Sequence, residues 1–175
     1  SAPDHLHFQA GNKYFMPIDN EYKILSSKYG EIIFEGDFSK VISIDDGLRK
    51  FISVESSDRK ELETVFEALY SQLAKNSDSN DEPLLNVLSF YDNNKWRILF
   101  ILRQKHRPSH YFAEGEKNIL LSPASVDLGW VCITPLEKDF QKITKDNIVE
   151  IFKEVSLPKE EFIYVSNGLK KSLAL

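Results

Sequence analysis

Two histidines and a glutamine stand at alternate positions near the start of the chain, as His5, His7 and Gln9. Apolar residues separate them, and this alternation is typical of a half-buried β-strand. On a strand, residues i, i+2 and i+4 share one face, so the three side chains form a row with a step of about 6.5–7 Å. The row therefore presents two imidazoles and one amide on rigid backbone.

Three interpretations of this row stay open from spacing alone. In the first, a neutral imidazole attacks phosphorus and the amide holds a phosphate oxygen. That chemistry also needs an acceptor that orients the second nitrogen of the attacking histidine. In the second, both histidines bind a metal together with His106, His110 or an acid. In the third, the row is a polar strand face without chemistry.

A second group of candidates lies in the basic segment 103–110, which follows a predicted β-hairpin. Guanidinium groups bind phosphate with two parallel hydrogen bonds, and imidazoles can donate to the same oxygens. The segment is therefore a candidate phosphate-binding loop, and the alternative is a solvated turn with basic side chains. Its candidate residues are Arg103, Lys105, His106, Arg107 and His110.

The overall composition excludes several classes of protein. The net charge is −5, so we expect no general attraction to nucleic acid or to an anionic membrane. No apolar run approaches the roughly 18 residues that a membrane helix needs. Cys132 is the single cysteine, which excludes an intramolecular disulfide and a multi-cysteine zinc site. No signal-peptide pattern is visible, and we predict a cytoplasmic protein.

The predicted elements run in the order strands, one helix, strands and then helices. This order is typical of a single α+β domain over residues 1–175, with a largely antiparallel sheet and flanking helices. We expect Cys132 to be a buried small hydrophobe, and Trp96 and Trp130 to be buried or half-buried. Strands are predicted over 5–10, 22–25, 31–35, 41–44, 50–55, 84–91, 95–102, 118–121 and 129–134. A loop is predicted over 16–20, and helices over 58–75, 135–142, 145–155 and, briefly, from Pro158.

The segment Asp4-His5-Leu6-His7-Phe8-Gln9-Ala10 resembles the signature of the histidine-triad superfamily. It has the His-x-His-x-Gln form of the galactose-1-phosphate uridylyltransferase branch, which also covers diadenosine tetraphosphate phosphorylases and plant GDP-galactose phosphorylases. Residues 16–19 and 122–140 resemble later segments of these proteins. The whole chain is similar to uncharacterised bacterial proteins labelled as galactose-1-phosphate uridylyltransferases. The resemblance extends to about residue 155 and implies a HIT-like fold.

The resemblance also implies roles for the histidine row. His7 is implied as the nucleophile that takes up the nucleotidyl group, His5 as a group that positions it, and Gln9 as a ligand of the phosphoryl oxygens. The implied enzyme is a nucleotidyltransferase or phosphorylase without a cofactor or metal. Its substrates are a nucleoside diphosphate sugar or a dinucleoside polyphosphate, with a phosphate or sugar phosphate as the acceptor.

One departure from the family pattern bears on activity. In histidine-triad folds, strands that form much of the nucleotide pocket come before the motif, yet only four residues precede His5. We therefore expect the C-terminal part of a larger transferase, without its N-terminal nucleotide-binding half, and an association with itself that covers exposed sheet edges. The alternatives are a non-catalytic nucleotide-binding or oligomerising module, and a metal-dependent enzyme that uses the same histidines.

Overall fold

The computed structural model describes residues 8–75 and 82–174, so His5 and His7 lie outside the described residues. Five strands form one antiparallel sheet in the order β1-β2-β3-β5-β4. This architecture confirms the predicted α+β class. The strands are β1 (Gly30–Glu35), β2 (Ser39–Asp45), β3 (Lys50–Ser56), β4 (Leu85–Asp92) and β5 (Lys95–Leu102). The helices are α1 (Pro17–Tyr29), α2 (Arg59–Lys75), α3 (Ser109–Phe112), α4 (Ser125–Leu128), α5 (Glu137–Lys142), α6 (Lys145–Val155) and α7 (Lys159–Leu173).

Tight turns set the register of two hairpins. Between β2 and β3, Gly47 has a φ of 92°, and the Asp45 side chain accepts a hydrogen bond from its N–H at 2.8 Å. Between β4 and β5, Asn93 and Asn94 both have positive φ, which is the conformation that a two-residue hairpin turn requires. Asn tolerates this region better than most residues, so the sequence between the two strands fixes their pairing.

Both faces of the sheet are covered by helices. On one face, α1 and α6 pack with Phe51 of β3 and Leu99 of β5 in one apolar cluster. On the other face, α2 and α7 pack with Ile52 of β3 and Phe100 of β5 in a second cluster. Successive residues of a strand point to opposite faces, so the two central strands supply both clusters. This explains the continuous apolar run Ile98–Leu102 of β5.

The predicted strand at 22–25 and the predicted loop at 16–20 are wrong, because both segments belong to α1. Ile18, Tyr22 and Leu25 are buried and stand at i, i+4 and i+7, which is one face of a helix. Pro17 occupies the first helical position, where its missing N–H costs nothing. A window of four apolar-rich residues could not distinguish this helix from a strand.

The predicted strands at 118–121 and 129–134 are also wrong. Ile119 and Leu121 are buried with the expected alternation, but none of the strands in the described part of the chain pairs with them. Side chains take the place of a partner strand, since the Asp139 carboxylate accepts from the N–H of Leu120 and the Asp127 carboxylate accepts from that of Ile133. The alternation of apolar and polar residues therefore predicted which side chains are buried. It could not show whether a neighbouring strand pairs with the segment.

Three smaller expectations have mixed outcomes. Cys132 is exposed rather than buried, because residues 129–134 form no core strand. Trp130 is half-buried, as expected, while Trp96 is 44% exposed on the surface of β5. The last helix, α7, has 15 residues and is much longer than predicted. In the part of the chain that the structure describes, no helix has the length and hydropathy of a membrane span.

The Phe51 side chain gives a direct test of the two-sided core. Phe51 is 1% exposed, and we expect Phe51→Ala to lower the free energy of unfolding by about 3–5 kcal/mol because the cavity cannot fully collapse. Phe38→Ala is the control, since Phe38 is 58% exposed and should cost less than about 1 kcal/mol. Urea denaturation measures both, and equal costs would contradict the proposed core.

Candidate functional site

Arg103 begins the basic loop, which we define as residues 103–110, at the end of β5. Its side chain is buried, with only 8% of the residue exposed. Nη1 donates to the Asn86 side-chain oxygen at 2.9 Å and to the Pro123 carbonyl at 2.7 Å, and Nη2 donates to the His106 carbonyl at 2.7 Å. One guanidinium group therefore joins β4, the segment around Pro123 and the basic loop itself.

The positive charge of Arg103 has uncharged oxygen atoms as its direct partners. Burial lowers the pKa of Arg103 to about 10, and the charge of Asp127 acts in the opposite direction. The Asp127 carboxylate itself accepts from the backbone N–H groups of Ala124 and Ile133. Arg103 consequently stays protonated at neutral pH, and its field is only partly compensated inside a region of low dielectric. Such a field favours an anion nearby.

Several buried polar atoms around this loop have no hydrogen-bond partner among the described residues. Native proteins satisfy the great majority of such atoms, so five of them on residues 103–122 make this segment a candidate polar site. Ser122 belongs to this group and precedes the carbonyl that Arg103 contacts. The atoms are Nε of Arg103, Nε2 of His106, Nε of Arg107, Nδ1 of His110 and Oγ of Ser122.

His106 and Arg107 are the members of the group whose environment is most informative. Burial lowers the pKa of His106, and the positive charges of Arg103 and Arg107 lower it further. His106 is therefore neutral at pH 7, and a bound anion would raise its pKa again by offsetting both charges. The Arg107 guanidinium lies 4.4 Å from the centroid of the Tyr111 ring, a cation–π contact.

Helix α6 holds the basic loop in place through Glu154. One oxygen of its carboxylate accepts from the N–H and hydroxyl of Ser109 at 2.9 and 2.8 Å, and the other lies 3.0 Å from Nζ of Lys105. These contacts lower the pKa of Glu154 to about 2, with the Ser109 backbone bond as the largest cause. One turn earlier, Glu150 lies 3.5 Å from Nε2 of His110. Lys105 thus has an ion-pair partner within the protein.

Gln9 lies apart from the basic loop in the described structure. It is exposed in an irregular segment, and four residues later Lys13 forms an ion pair of 2.7 Å with Asp92, at the tip of the β4–β5 hairpin. The basic loop leaves the opposite end of β5, which spans eight residues or about 26 Å. The structure therefore places Arg103, His106 and Arg107 in the irregular part of this segment and His110 in the short helix α3 that ends it, and it shows no contact between Gln9 and them.

Three further residues complete the surroundings of the loop and were not predicted from the sequence: Asn86, Ser122 and Glu154. Ser122 stood in a segment with a family resemblance, whereas Asn86 and Glu154 are ordinary polar positions of a strand and a helix. Their importance depends on which loop they contact. A local sequence pattern does not show contacts between residues that are far apart in the chain. Within residues 8–75 and 82–174, no group of three His, Cys, Asp or Glu side chains could hold a metal ion. The metal alternative for His5 and His7 stays a prediction.

Glu154→Gln tests how the loop is held. Because the pKa of Glu154 in the folded protein lies below its ordinary value of 4.5, its charge stabilises the fold above pH 4.5. At pH 7 we expect the variant to lose about 1 kcal/mol of unfolding free energy. This difference should shrink as the pH falls from 4.5 towards 2, because the carboxylate of the original protein is then protonated.

Chemical denaturation at several pH values measures this loss. Glu67→Gln is the matched control, since Glu67 is exposed on α2 and has no ion pair in the described structure. A loss that is the same at pH 3 and pH 7 would contradict a charge-dependent contact.

Comparisons with known proteins locate this site within a family. The family described as GDPGP1-like, C-terminal domain matches residues 30–175, which include all five strands and the basic loop, while the His5, His7 and Gln9 row precedes the match. No curated protein and no solved structure matches the chain. The match supports the resemblance to the branch of the HIT-like group that contains GDP-hexose phosphorylases. It does not identify the chain as a galactose-1-phosphate uridylyltransferase. The chain belongs to the GDPGP1-like C-terminal domain family.

Proposed function

We propose that this chain carries the catalytic histidine and a phosphate-binding loop of a nucleoside diphosphate hexose phosphorylase. The observation that carries the proposal is the family match over residues 30–175. The unpartnered donors of the basic loop support it, because they provide the chemistry that a phosphorylated substrate requires. The His-x-His-x-Gln row supplies the nucleophile, in keeping with the resemblance of residues 4–10.

The reaction divides into two displacements at the α-phosphorus of the nucleotide. In the first, the neutral imidazole of His7 attacks, a P–N bond forms, and the P–O bond to the departing hexose 1-phosphate breaks. In the second, an oxygen of inorganic phosphate attacks the same phosphorus, the P–N bond breaks, and a nucleoside diphosphate leaves. His5 positions His7, and the amide of Gln9 donates to a phosphoryl oxygen as negative charge increases on it.

The basic loop binds phosphate groups through the side chains that have free donors. Arg107 contributes its guanidinium group, which lies over the Tyr111 ring, and His106 and His110 contribute ring nitrogens. Arg103 contributes mainly its positive field and the order of the loop, because its Nη atoms already donate to protein oxygens. Phosphate binding by Arg103 itself stays a prediction of the sequence and would use only its Nε atom.

The length of the chain limits how the histidine row meets this loop. Lys13 is anchored at the hairpin tip, about 26 Å from the start of the loop. Six residues of extended backbone, from Lys13 back to His7, span at most about 20–22 Å. The row can therefore approach the loop only when it runs back along the hairpin in nearly extended form. An arginine side chain then covers the remaining few ångströms.

His7→Ala is the primary test of the covalent mechanism. The purified chain is incubated with GDP-hexoses and, separately, with UDP-hexoses, and its intact mass is recorded without phosphate. We expect the original protein to gain one nucleoside monophosphate and His7→Ala to gain none, because the attacking nitrogen is absent. Addition of inorganic phosphate should remove the adduct and release the nucleoside diphosphate.

The same experiment separates the alternatives. Nucleotide binding by equilibrium dialysis without adduct or product would favour a non-catalytic module, which the match to a C-terminal domain alone makes worth testing. An adduct from UDP-glucose that is discharged only by a sugar phosphate would favour a uridylyltransferase. Normal turnover by His7→Ala would contradict the covalent mechanism altogether.

Arg107→Ala tests the phosphate role of the basic loop. We expect a fall of about tenfold to a hundredfold in the rate at which phosphate discharges the nucleotidyl adduct, because a donor to the attacking phosphate is lost. Lys105→Ala is the control on the same loop, since Lys105 is paired with Glu154. Single-turnover assays at varied phosphate concentration make the comparison, and equal rates for the two variants would contradict the assignment.

A further inference from the structure

The segment between the histidine row and α1 makes a tight turn. The N–H of Phe15 donates to the carbonyl of Asn12 at 3.1 Å, which closes a turn of four residues. The third residue of this turn is Tyr14, and its φ is 66°. This left-handed conformation is unfavourable for a bulky side chain. The chain therefore changes direction sharply between Gln9 and the helix, at an energetic cost.

The turn has no apolar burial that could offset this cost. Every residue over 8–15 is exposed. A strained backbone of this kind persists only where the surrounding structure fixes it. Two contacts attach the turn to the rest of the described structure. The amino group of Lys13 lies 2.7 Å from the Asp92 carboxylate, and the N–H of Tyr14 donates to Oδ2 of Asp19 at 3.2 Å.

The contact with Asp19 is the firmer of the two. The Asp92 side chain is half exposed, and an exposed ion pair contributes little because solvent screens it. Asp19, in the first turn of α1, is 8% exposed, so its hydrogen bond to the backbone of Tyr14 is largely shielded from water. The position of the turn is therefore set mainly by the Asp19 carboxylate.

A chain of contacts connects Asp19 to the centre of the sheet. Nη1 of Arg97 lies 3.7 Å from Oδ1 of Asp19. The Arg97 guanidinium in turn donates to Glu55 through Nε at 2.8 Å and lies 3.9 Å from the centroid of the Tyr22 ring. The Tyr22 hydroxyl forms a buried hydrogen bond of 2.7 Å with Ser53 of β3. Because β3 and β5 are the central strands, the carboxylate is fixed by the most strongly paired part of the fold.

We propose that Asp19 is a positioning residue for the row of His5, His7 and Gln9, an inference that rests on the proposed function. By accepting from the N–H of Tyr14, its carboxylate fixes the turn and hence the direction in which the preceding residues leave the hairpin tip. The row reaches the basic loop only in nearly extended form, so an error of direction at the turn grows along the segment. A misplacement of about 1 Å at a reacting group can lower a rate about a hundredfold.

Asp19→Ala and Asp19→Asn separate this role from a contribution to stability. Both variants lose the charge beside Arg97, so both should be less stable than the original protein. Only Asp19→Ala also loses the oxygen that accepts from Tyr14, whereas the amide of Asp19→Asn keeps one. We expect the rate of nucleotidyl adduct formation to fall about tenfold to a hundredfold in Asp19→Ala and to be largely retained in Asp19→Asn.

Glu21→Gln is the matched control. Glu21 lies on the same helix and pairs with Arg49 rather than with the turn, so its loss removes an ion pair and should leave the rate unchanged. Single-turnover assays at saturating GDP-hexose, read by intact mass, measure the rates. Thermal melting of each variant shows that the assay temperature lies in its folded range.

A second measurement needs no turnover. Nitroxide labels are placed on Ala10→Cys and on Lys153→Cys of α6, both exposed positions, in a Cys132→Ser background that leaves no other cysteine. Double electron–electron resonance gives the distribution of distances between the two labels. We expect a narrow distribution in the original protein and in Asp19→Asn, and a broad one in Asp19→Ala, because the turn has then lost its buried contact.

The two measurements fail in different ways. An original protein that forms no adduct would contradict the proposed function, and the distance distributions would still show whether Asp19 fixes the segment. A distribution that is as narrow in Asp19→Ala as in the original protein would overturn the positioning role. So would an adduct rate that Asp19→Ala leaves unchanged, or one that Asp19→Asn lowers as far as Asp19→Ala does.

Discussion

The buried guanidinium group of Arg103 is the interaction on which the candidate site depends. It donates at once to the Asn86 side chain of the edge strand β4, to the carbonyl of Pro123 and to the His106 carbonyl of its own loop. A shorter or uncharged side chain could not donate in three directions from one planar group. Arg103 thus fixes the conformation of the basic loop from its buried side. On the exposed side, Glu154 of α6 holds the loop by accepting a hydrogen bond from the N–H of Ser109.

In this segment, different basic side chains hold the loop in place and offer unpartnered nitrogens. Arg103 is committed to protein oxygens and acts at a distance through its charge, while Arg107 and the two histidines keep ring or guanidinium nitrogens without partners in the described structure. The lowered pKa of His106 follows from the same separation, since burial and two nearby guanidinium groups favour its neutral form. A phosphate group would therefore meet fixed positive charge and donors that need little reorganisation.

Much of the sheet could be predicted from the sequence, because its strands are short apolar-rich segments bounded by turn residues. Residues 30–56 and 84–102 are of this kind, and their turns at Gly47 and Asn93–Asn94 carried a local signal. The errors arose where burial did not come from strand pairing. Ile119 and Leu121 are buried by loop packing, and Tyr22 is buried on a helix.

The candidate site was predictable only in part, for a similar reason. The basic loop could be found as a cluster of charged residues, yet the commitment of Arg103 to Asn86 and Pro123 depends on contacts across 17 and 20 positions of the chain. The pairing of Glu154 with Ser109 spans 45 positions. Periodicity and spacing describe neighbours along the chain, so they cannot report such contacts.

The strand order also has a consequence for folding kinetics. Strands β1, β2 and β3 form one meander of short-range pairs, and β4 and β5 form a separate hairpin. Among the described strands, the two units pair through β3 and β5 alone, for example where Val54 pairs with Ile98, and α2 lies between the units in the chain. Closing that long loop loses entropy before the central pairing returns any energy. We therefore expect formation of the β3–β5 seam to limit the folding rate, after each unit has formed its local turns.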